Sequence, residues 1–90
     1  MFREAKAKHP DCADQLELLY RDLRRLDFKN LNHVKECFPY VSILKNNRVC
    51  FNIHGNHYRV VVKFNFQMGA CFIRFIGTHG EYDKIDANTV

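Results

Sequence analysis

Residues 47–77 read NRVCFNIHGNHYRVVVKFNFQMGACFIRFIG and decide the fold. Apolar and polar side chains alternate through this stretch with a period of two, which is the pattern of half-buried strands. The pairs Gly55-Asn56 and Met68-Gly69 interrupt the alternation, and such pairs favour tight turns. We therefore predict three consecutive strands joined by short turns, which form an antiparallel meander.

The alternation also assigns each side chain to one of the two faces of the predicted sheet. On the third strand, at residues 70–77, we expect Cys71, Ile73 and Phe75 on one face and Phe72, Arg74 and Ile76 on the other. On the first two strands the polar side chains share the face opposite the apolar ones. The polar face then gathers a basic patch: Arg48, Asn52, His54, His57, Arg59, Lys63 and Arg74.

The sequence before the predicted strands has a helical period. Leu16, Leu19, Tyr20, Leu23 and Leu26 form one apolar stripe at helical spacing. Phe2 and Ala5 suggest a shorter helix before it, Pro10 favours the start of the long helix, and Asn30 is suited to cap a third, short helix at residues 31–37. We therefore predict one α+β domain over residues 1–90, in which helices cover one face of a small antiparallel sheet and a short C-terminal segment follows.

The composition narrows the class of protein. Ninety residues, of which 47% are hydrophobic, suffice for one core. No apolar run of 18 residues occurs and the first residues are charged, so neither a membrane span nor a signal peptide is expected, and we predict a cytoplasmic protein without a membrane partner. The four cysteines, Cys12, Cys37, Cys50 and Cys71, have irregular spacing and no Cys-x-x-Cys pair, which predicts buried free thiols and no zinc site.

The charge is distributed unevenly along the chain. No Asp or Glu occurs in residues 37–80, whereas this stretch contains five Lys or Arg and three His. Such a region creates a positive field that favours a polyanion, and nucleic acid is the most common polyanion in the cytosol. The alternative is a solvated basic surface without a partner.

Residues 77–84, GTHGEYDK, place an imidazole, a phenol and two carboxylates at the edge of the basic patch. These groups suit RNA cleavage, in which a ribose 2′-hydroxyl attacks its own phosphate. A base removes the hydroxyl proton, an acid protonates the departing 5′-oxygen, and cations hold the extra charge. This chemistry needs no metal. The alternative is a set of polar residues that only cap the strand and keep its end solvated.

Two long motifs resemble the HigB toxin family. Residues 44–61, LKNNRVCFNIHGNHYRVV, resemble the central signature of that family, and residues 73–86, IRFIGTHGEYDKID, resemble its C-terminal signature. The order of the two motifs is that of the family. The sequence His9-Pro10-Asp11 before the first long helix is similar as well, so the resemblance extends over nearly the whole chain.

The resemblance implies a RelE-like fold and the activity of a toxin from a type II toxin–antitoxin pair. Such a toxin is a metal-independent endoribonuclease that cuts messenger RNA on the translating ribosome, stops translation and uses no cofactor. Its implied partners are messenger RNA, the ribosome and a helix-turn-helix antitoxin of the HigA type. The alternative is a catalytically inactive module that binds RNA, the ribosome or the antitoxin.

The resemblance also implies roles for individual residues. His79, Tyr82 and Asp83 match the terminal catalytic cluster, and His54 matches a position that transfers a proton or contacts a phosphate. Arg59 resembles the arginine that holds the scissile phosphate, and Arg74 is a second candidate for this role. The face assignment adds Arg48, Asn52 and Lys63 as RNA-binding candidates. Which residue is the acid and which is the base stays open.

Overall fold

A computed structural model describes residues 7–25, 28–53 and 57–90. A 3-10 turn at Pro10–Cys12 leads into helix α1 (Ala13–Arg25), and the short helix α2 (Leu31–Cys37) comes after it. Four strands come next: β1 (Ser42–Ile43), β2 (Arg48–Ile53), β3 (Tyr58–Asn65) and β4 (Ala70–Thr78). Helix α3 (His79–Tyr82) begins directly after β4. The predicted α+β order of elements is therefore confirmed.

The four strands form one antiparallel sheet in the order β1-β2-β3-β4. The predicted meander corresponds to β2, β3 and β4, while the two-residue strand β1 extends it by pairing Ser42 with Cys50 and Ile43 with Val49. A strand this short gives almost no alternation to detect, which is why the sequence did not predict it. The predicted turn at Gly55-Asn56 lies outside the described residues, as do Leu26 of the helical stripe and the short helix expected from Phe2 and Ala5.

The helices cover one face of the sheet, as predicted. Leu16, Leu19 and Leu23 of α1 and Val34 of α2 are buried against apolar side chains of the strands. Those strand side chains are Val49, Phe51, Ile53, Val60, Val62 and Phe64. Each fully buried side chain of this kind contributes about 1.5–3 kcal/mol to folding, so this layer fixes which face of the sheet stays open.

Both helix starts agree with the sequence signals. Pro10 stands at the first position of the 3-10 turn, where its missing N–H costs no hydrogen bond. Asn30 caps α2, because its side-chain oxygen accepts a hydrogen bond from the His33 amide at 2.9 Å. The helical layer is tied to the sheet by Tyr58, whose hydroxyl donates to the Asp11 carboxylate at 2.9 Å.

The predicted face assignment of β4 is wrong beyond Ile73. Val62 pairs with Ile73 but Val61 pairs with Phe75, so Arg74 is an extra residue in a β-bulge. The bulge reverses the parity of the strand. Ile76 therefore packs against the core, whereas Phe75 lies opposite Val61, on the face that the helices do not cover.

Cysteine placement agrees only partly with the prediction. All four cysteines are free, and Cys12 and Cys50 are buried, but Cys37 is exposed and Cys71 is partly exposed. The exposed thiol of Cys37 belongs to the last residue of α2, a helix in which Val34 is the one fully buried side chain and Leu31 packs partly against the core. Within the described ranges, no helix combines the length and apolarity that crossing a membrane requires.

Candidate functional site

The open face of the sheet carries two groups of polar residues, at opposite ends of β3. At one end the register aligns Asn52 of β2 with Arg59 of β3 and Gly77 of β4. We call this row, together with Tyr82 above it, the phenol end. At the other end Arg48, Lys63 and Phe72 are aligned, and we call this row the strap end. The predicted common face of Arg48, Asn52, Arg59 and Lys63 is therefore confirmed.

At the phenol end, α3 places Tyr82 over the sheet. The Arg59 guanidinium carbon lies 5.9 Å from the centroid of the Tyr82 ring, which is cation–π geometry. The Phe75 ring, which the bulge brings to this face, lies 6.3 Å from the same ring. Cys50 is buried below, next to the Tyr82 hydroxyl. The phenol is thus fixed between a cation, an aromatic ring and a thiol.

The surroundings of Tyr82 make its phenol hold its proton more strongly than a free tyrosine does. Burial raises the pKa of Tyr82 above its usual value, and Cys50 raises it further, while the Arg59 charge opposes both effects. Burial likewise raises the pKa of the Cys50 thiol. A neighbouring cation stabilises a phenolate, but here desolvation outweighs the single cation Arg59. At neutral pH Tyr82 is therefore a hydrogen-bond and proton donor.

His79 and Asp83 lie one helical turn apart at the exposed side of α3. The His79 Nε2 atom is 3.6 Å from an Asp83 carboxylate oxygen, and both side chains are more than half exposed. The His79 amide donates to the His57 carbonyl at 3.0 Å, which ties the start of α3 to the start of β3. This imidazole is paired with a carboxylate that can orient it and is open to a ligand.

A capping box fixes the first turn of α3. The Glu81 amide donates to the Thr78 hydroxyl at 3.2 Å, and the Thr78 amide donates to the Glu81 carboxylate at 3.0 Å. These hydrogen bonds lower the pKa of Glu81, so the carboxylate stays charged. Both donors of the capping box are satisfied reciprocally, which explains how a helix of four residues holds His79 and Tyr82 in place.

Of the remaining predicted site residues, Asn52 belongs to the phenol end, whereas Arg48, Lys63 and Arg74 are not gathered around Tyr82. Lys63 is exposed at the strap end. Arg48 is 7% exposed and donates to backbone carbonyl oxygens near the C-terminus, and Arg74 donates from Nε to Val90 O at 3.3 Å. The Asn52 side-chain amide donates to the Tyr40 carbonyl at 3.5 Å. His54 lies outside the described residues.

Sequence reasoning missed three features of this site. Cys50 was predicted only as a buried free thiol, although the alternation of side chains along the strand placed it on the same face as Arg48 and Asn52. The capping box is visible in the sequence as Thr-x-x-Glu at residues 78–81, which is a helix-start signature. The Phe75 ring lies beside Tyr82 only because of the β-bulge, and no local sequence pattern reveals that bulge.

Comparison with known proteins gives a consistent result. Residues 12–85 match the HigB toxin family, described as the RelE-like toxic component of a toxin–antitoxin system. The mRNA interferase HigB of Escherichia coli O6:H1 is 33% identical over 93% of this chain and 84% of its own length. The mRNA interferase toxin HigB of Escherichia coli K12 is 32% identical over 96% of this chain and 85% of its own length. The matches to the two Escherichia coli proteins include the strands and α3.

Proposed function

Because the chain belongs to the HigB family of RelE-like toxins, we propose that it is an endoribonuclease that cleaves messenger RNA and so stops translation and growth. The observation that carries the proposal is the phenol end. There a protonated Tyr82, a cationic Arg59 and an exposed His79–Asp83 pair stand together at one end of a rigid sheet. These are the groups that metal-independent RNA cleavage needs.

Substrate binding in this proposal centres on Arg59. Its guanidinium stands on the open face in the row between Asn52 and Gly77, next to the Tyr82 ring. A guanidinium donates in a planar fork that matches two phosphate oxygens. Arg59 therefore holds the scissile phosphate and stabilises the charge that develops when the 2′-hydroxyl attacks, while Lys63 attracts the RNA backbone further along β3.

The proton transfers are divided between α3 residues. The His79 imidazole takes the proton of the attacking 2′-hydroxyl, and Asp83 orients that imidazole. The new bond joins the 2′-oxygen to phosphorus, and the bond from phosphorus to the 5′-oxygen breaks. Tyr82, whose phenol is protonated at neutral pH, gives its proton to the departing 5′-oxygen. The products are a 2′,3′-cyclic phosphate and a 5′-hydroxyl. No metal or cofactor takes part in these steps, and His54 stays a candidate phosphate contact.

The partners in this proposal are inferred from the family. A toxin of a toxin–antitoxin system has an antitoxin partner, and here we expect a helix-turn-helix protein of the HigA type. The substrate is messenger RNA on the translating ribosome, which places the activity in the cytoplasm. The competing function is a binding module without activity, and no described feature of the phenol end favours it.

The test is induced expression in bacteria of the wild-type protein and of His79→Ala, with growth and the 5′ ends of messenger RNA followed together. We expect growth arrest and new 5′-hydroxyl ends for the wild type, and loss of both in the folded variant. Growth arrest without new RNA ends would instead support the binding module. Equal cleavage by His79→Ala would contradict the assigned role of this histidine.

A further inference from the structure

The last five residues of the chain, 86–90, lie across the strap end and are fastened there by side chains of β2, β4 and the β1–β2 connection. We call this segment the C-terminal strap. Lys45 donates from its amide to the Asn88 side-chain oxygen at 2.8 Å, and the Asn46 side chain donates to the Asn88 carbonyl at 2.9 Å. Ala87 is buried, so the strap is packed as well as hydrogen-bonded.

Arg48 is the main fastening of the strap. Its Nε atom donates to Val90 O at 2.8 Å, one terminal nitrogen donates to the Thr89 carbonyl at 3.4 Å, and the other donates to the Asn46 carbonyl at 3.3 Å. Among the described residues it is the one charged side chain that is buried. A guanidinium whose donors are directed at backbone carbonyls inside the protein is not oriented toward an RNA phosphate.

The strap is continuous with the helix that carries the proposed catalytic groups. The Asp83 amide donates to the His79 carbonyl and the Ile85 amide donates to the Tyr82 carbonyl, at 3.1 and 3.2 Å. Further turns link Thr89 and Val90 to the Asp86 carbonyl at 3.1 and 3.0 Å. Helix α3 has four residues, too few to be stable alone, so its C-terminal end depends on the segment that continues from it.

The connection between β1 and β2 is shaped for this contact. Asn46 and Asn47 have φ of 58° and 60°, the left-handed region that asparagine tolerates better than most residues. This turn directs the Lys45 amide and the Asn46 side chain toward Asn88. The strap thus has a preformed site on the sheet, at the opposite end of β3 from Arg59.

We infer that Arg48 is a positioning residue for RNA cleavage: it fastens the C-terminal strap, and the strap holds α3 so that His79 and Tyr82 face the phosphate on Arg59. The inference rests on the proposed function for the identity of the reaction. It replaces the predicted role of Arg48 as a phosphate ligand, and the neighbouring Lys63, which pairs with Arg48 in the register, keeps that role.

The test compares Arg48→Ala with Lys63→Ala and Lys35→Ala in cleavage of messenger RNA on translating ribosomes. Lys35 is the structural control, because its ammonium donates to the Val41 carbonyl at 2.6 Å in another part of the fold. We expect Arg48→Ala to lower kcat about 10- to 100-fold with KM within about twofold of wild type, since a displacement of about 1 Å has an effect of this order. We expect Lys63→Ala to raise KM at unchanged kcat, and Lys35→Ala to leave both unchanged below its melting temperature.

Hydrogen exchange provides a readout that needs no activity. In Arg48→Ala we expect the amides of residues 83–85 to exchange at least about tenfold faster, with β3 amides unchanged, because loss of the strap frees the end of α3. If Arg48→Ala does not fold, Asn88→Ala loosens the same strap without changing β2, and we expect the same direction in kcat and exchange.

The outcomes test the positioning role of Arg48 separately from the proposed catalytic site. Wild-type kcat and wild-type exchange in folded Arg48→Ala or Asn88→Ala would overturn the positioning role. A raised KM at unchanged kcat in Arg48→Ala would make Arg48 a phosphate ligand and would also overturn it. Full activity of Tyr82→Phe and His79→Ala would instead reject the proposed catalytic site, while faster exchange at residues 83–85 would still establish the strap.

Discussion

At the phenol end of the open face, Arg59 lies against the ring of Tyr82, whereas at the strap end Arg48 is enclosed by backbone carbonyls of residues 46, 89 and 90. The two arginines stand on neighbouring strands and on the same face, and the sequence pattern treats them alike. Their roles differ because a different part of the C-terminal segment reaches each of them. A basic face is therefore not one uniform RNA-binding surface, and substitutions at its two ends should have different effects.

The largest effect is expected at Arg59. We predict that Arg59→Ala lowers the single-turnover rate of messenger RNA cleavage about 10²- to 10³-fold, because one donor to a developing oxyanion contributes this much. Lys63→Ala, which removes a charge from the exposed strap end, should change this rate at saturating substrate less than about threefold. Rapid-quench assays compare the two variants. Equal losses of cleavage rate in Arg59→Ala and Lys63→Ala would show that the two ends of the open face act as one surface.

Gly77 is expected to show the next largest effect. An added Cβ would lie 2.7 Å from a Phe75 ring carbon and 3.2 Å from the Glu81 carboxylate. Gly77→Ala therefore crowds the ring that packs on Tyr82 and the capping box of α3. We predict a loss of about 1–3 kcal/mol in the free energy of unfolding, as is typical of overpacking. Urea unfolding measures this loss, and an unchanged midpoint would mean that the phenol end rearranges without strain.

The sequence was sufficient for the parts of this molecule that have a local period. It predicted the meander, the helices and the common face of Arg48 and Arg59, because one buried face imposes strict alternation. It failed for the faces of Phe75 and Ile76, since the single extra residue Arg74 shifts the parity of β4 without a signature of its own. It gave no sign of the hydrogen bonds that Arg48 makes, because its partner Val90 lies 42 residues away along the chain. Tyr82 was predicted as a site residue, but the burial that raises its pKa is visible only in the fold.

A matched pair of helix caps separates stability from function. Thr78→Ala removes the cap of α3 and Asn30→Ala removes the cap of α2, and each should lower the free energy of unfolding by about 1 kcal/mol. We compare the rates of RNA cleavage at a temperature where both variants are folded. The rate should fall only in Thr78→Ala, because α3 carries His79 and Tyr82 and α2 does not. Thermal melts and rates measured on the same samples provide the check. Equal rates in the two variants would show that α3 needs no cap to place its side chains.

The smallest effect concerns a pH dependence far from the phenol end. The hydrogen bond to Asp11 raises the pKa of Tyr58 from 10.0 to about 12. A raised pKa means that the folded state favours the protonated phenol, so this stabilisation is complete below about pH 10 and is lost as the pH rises toward 12. The difference in unfolding free energy between wild type and Tyr58→Phe should therefore be constant from about pH 7 to 9 and narrow above about pH 10. A difference that stays constant up to about pH 11.5 would contradict this assignment.

Tyr82 is the proposed proton donor of the phenol end, and the single-turnover rate of Tyr82→Phe examines that role without disturbing the rest of the site. This variant keeps the ring against Arg59 and Phe75 and removes only the hydroxyl. We predict a rate lower by about 10²-fold or more at neutral pH, with RNA affinity and folding unchanged. A rate equal to that of the wild type would show that the phenol takes no part in proton transfer, and it would contradict the assignment of the chemistry to the phenol end.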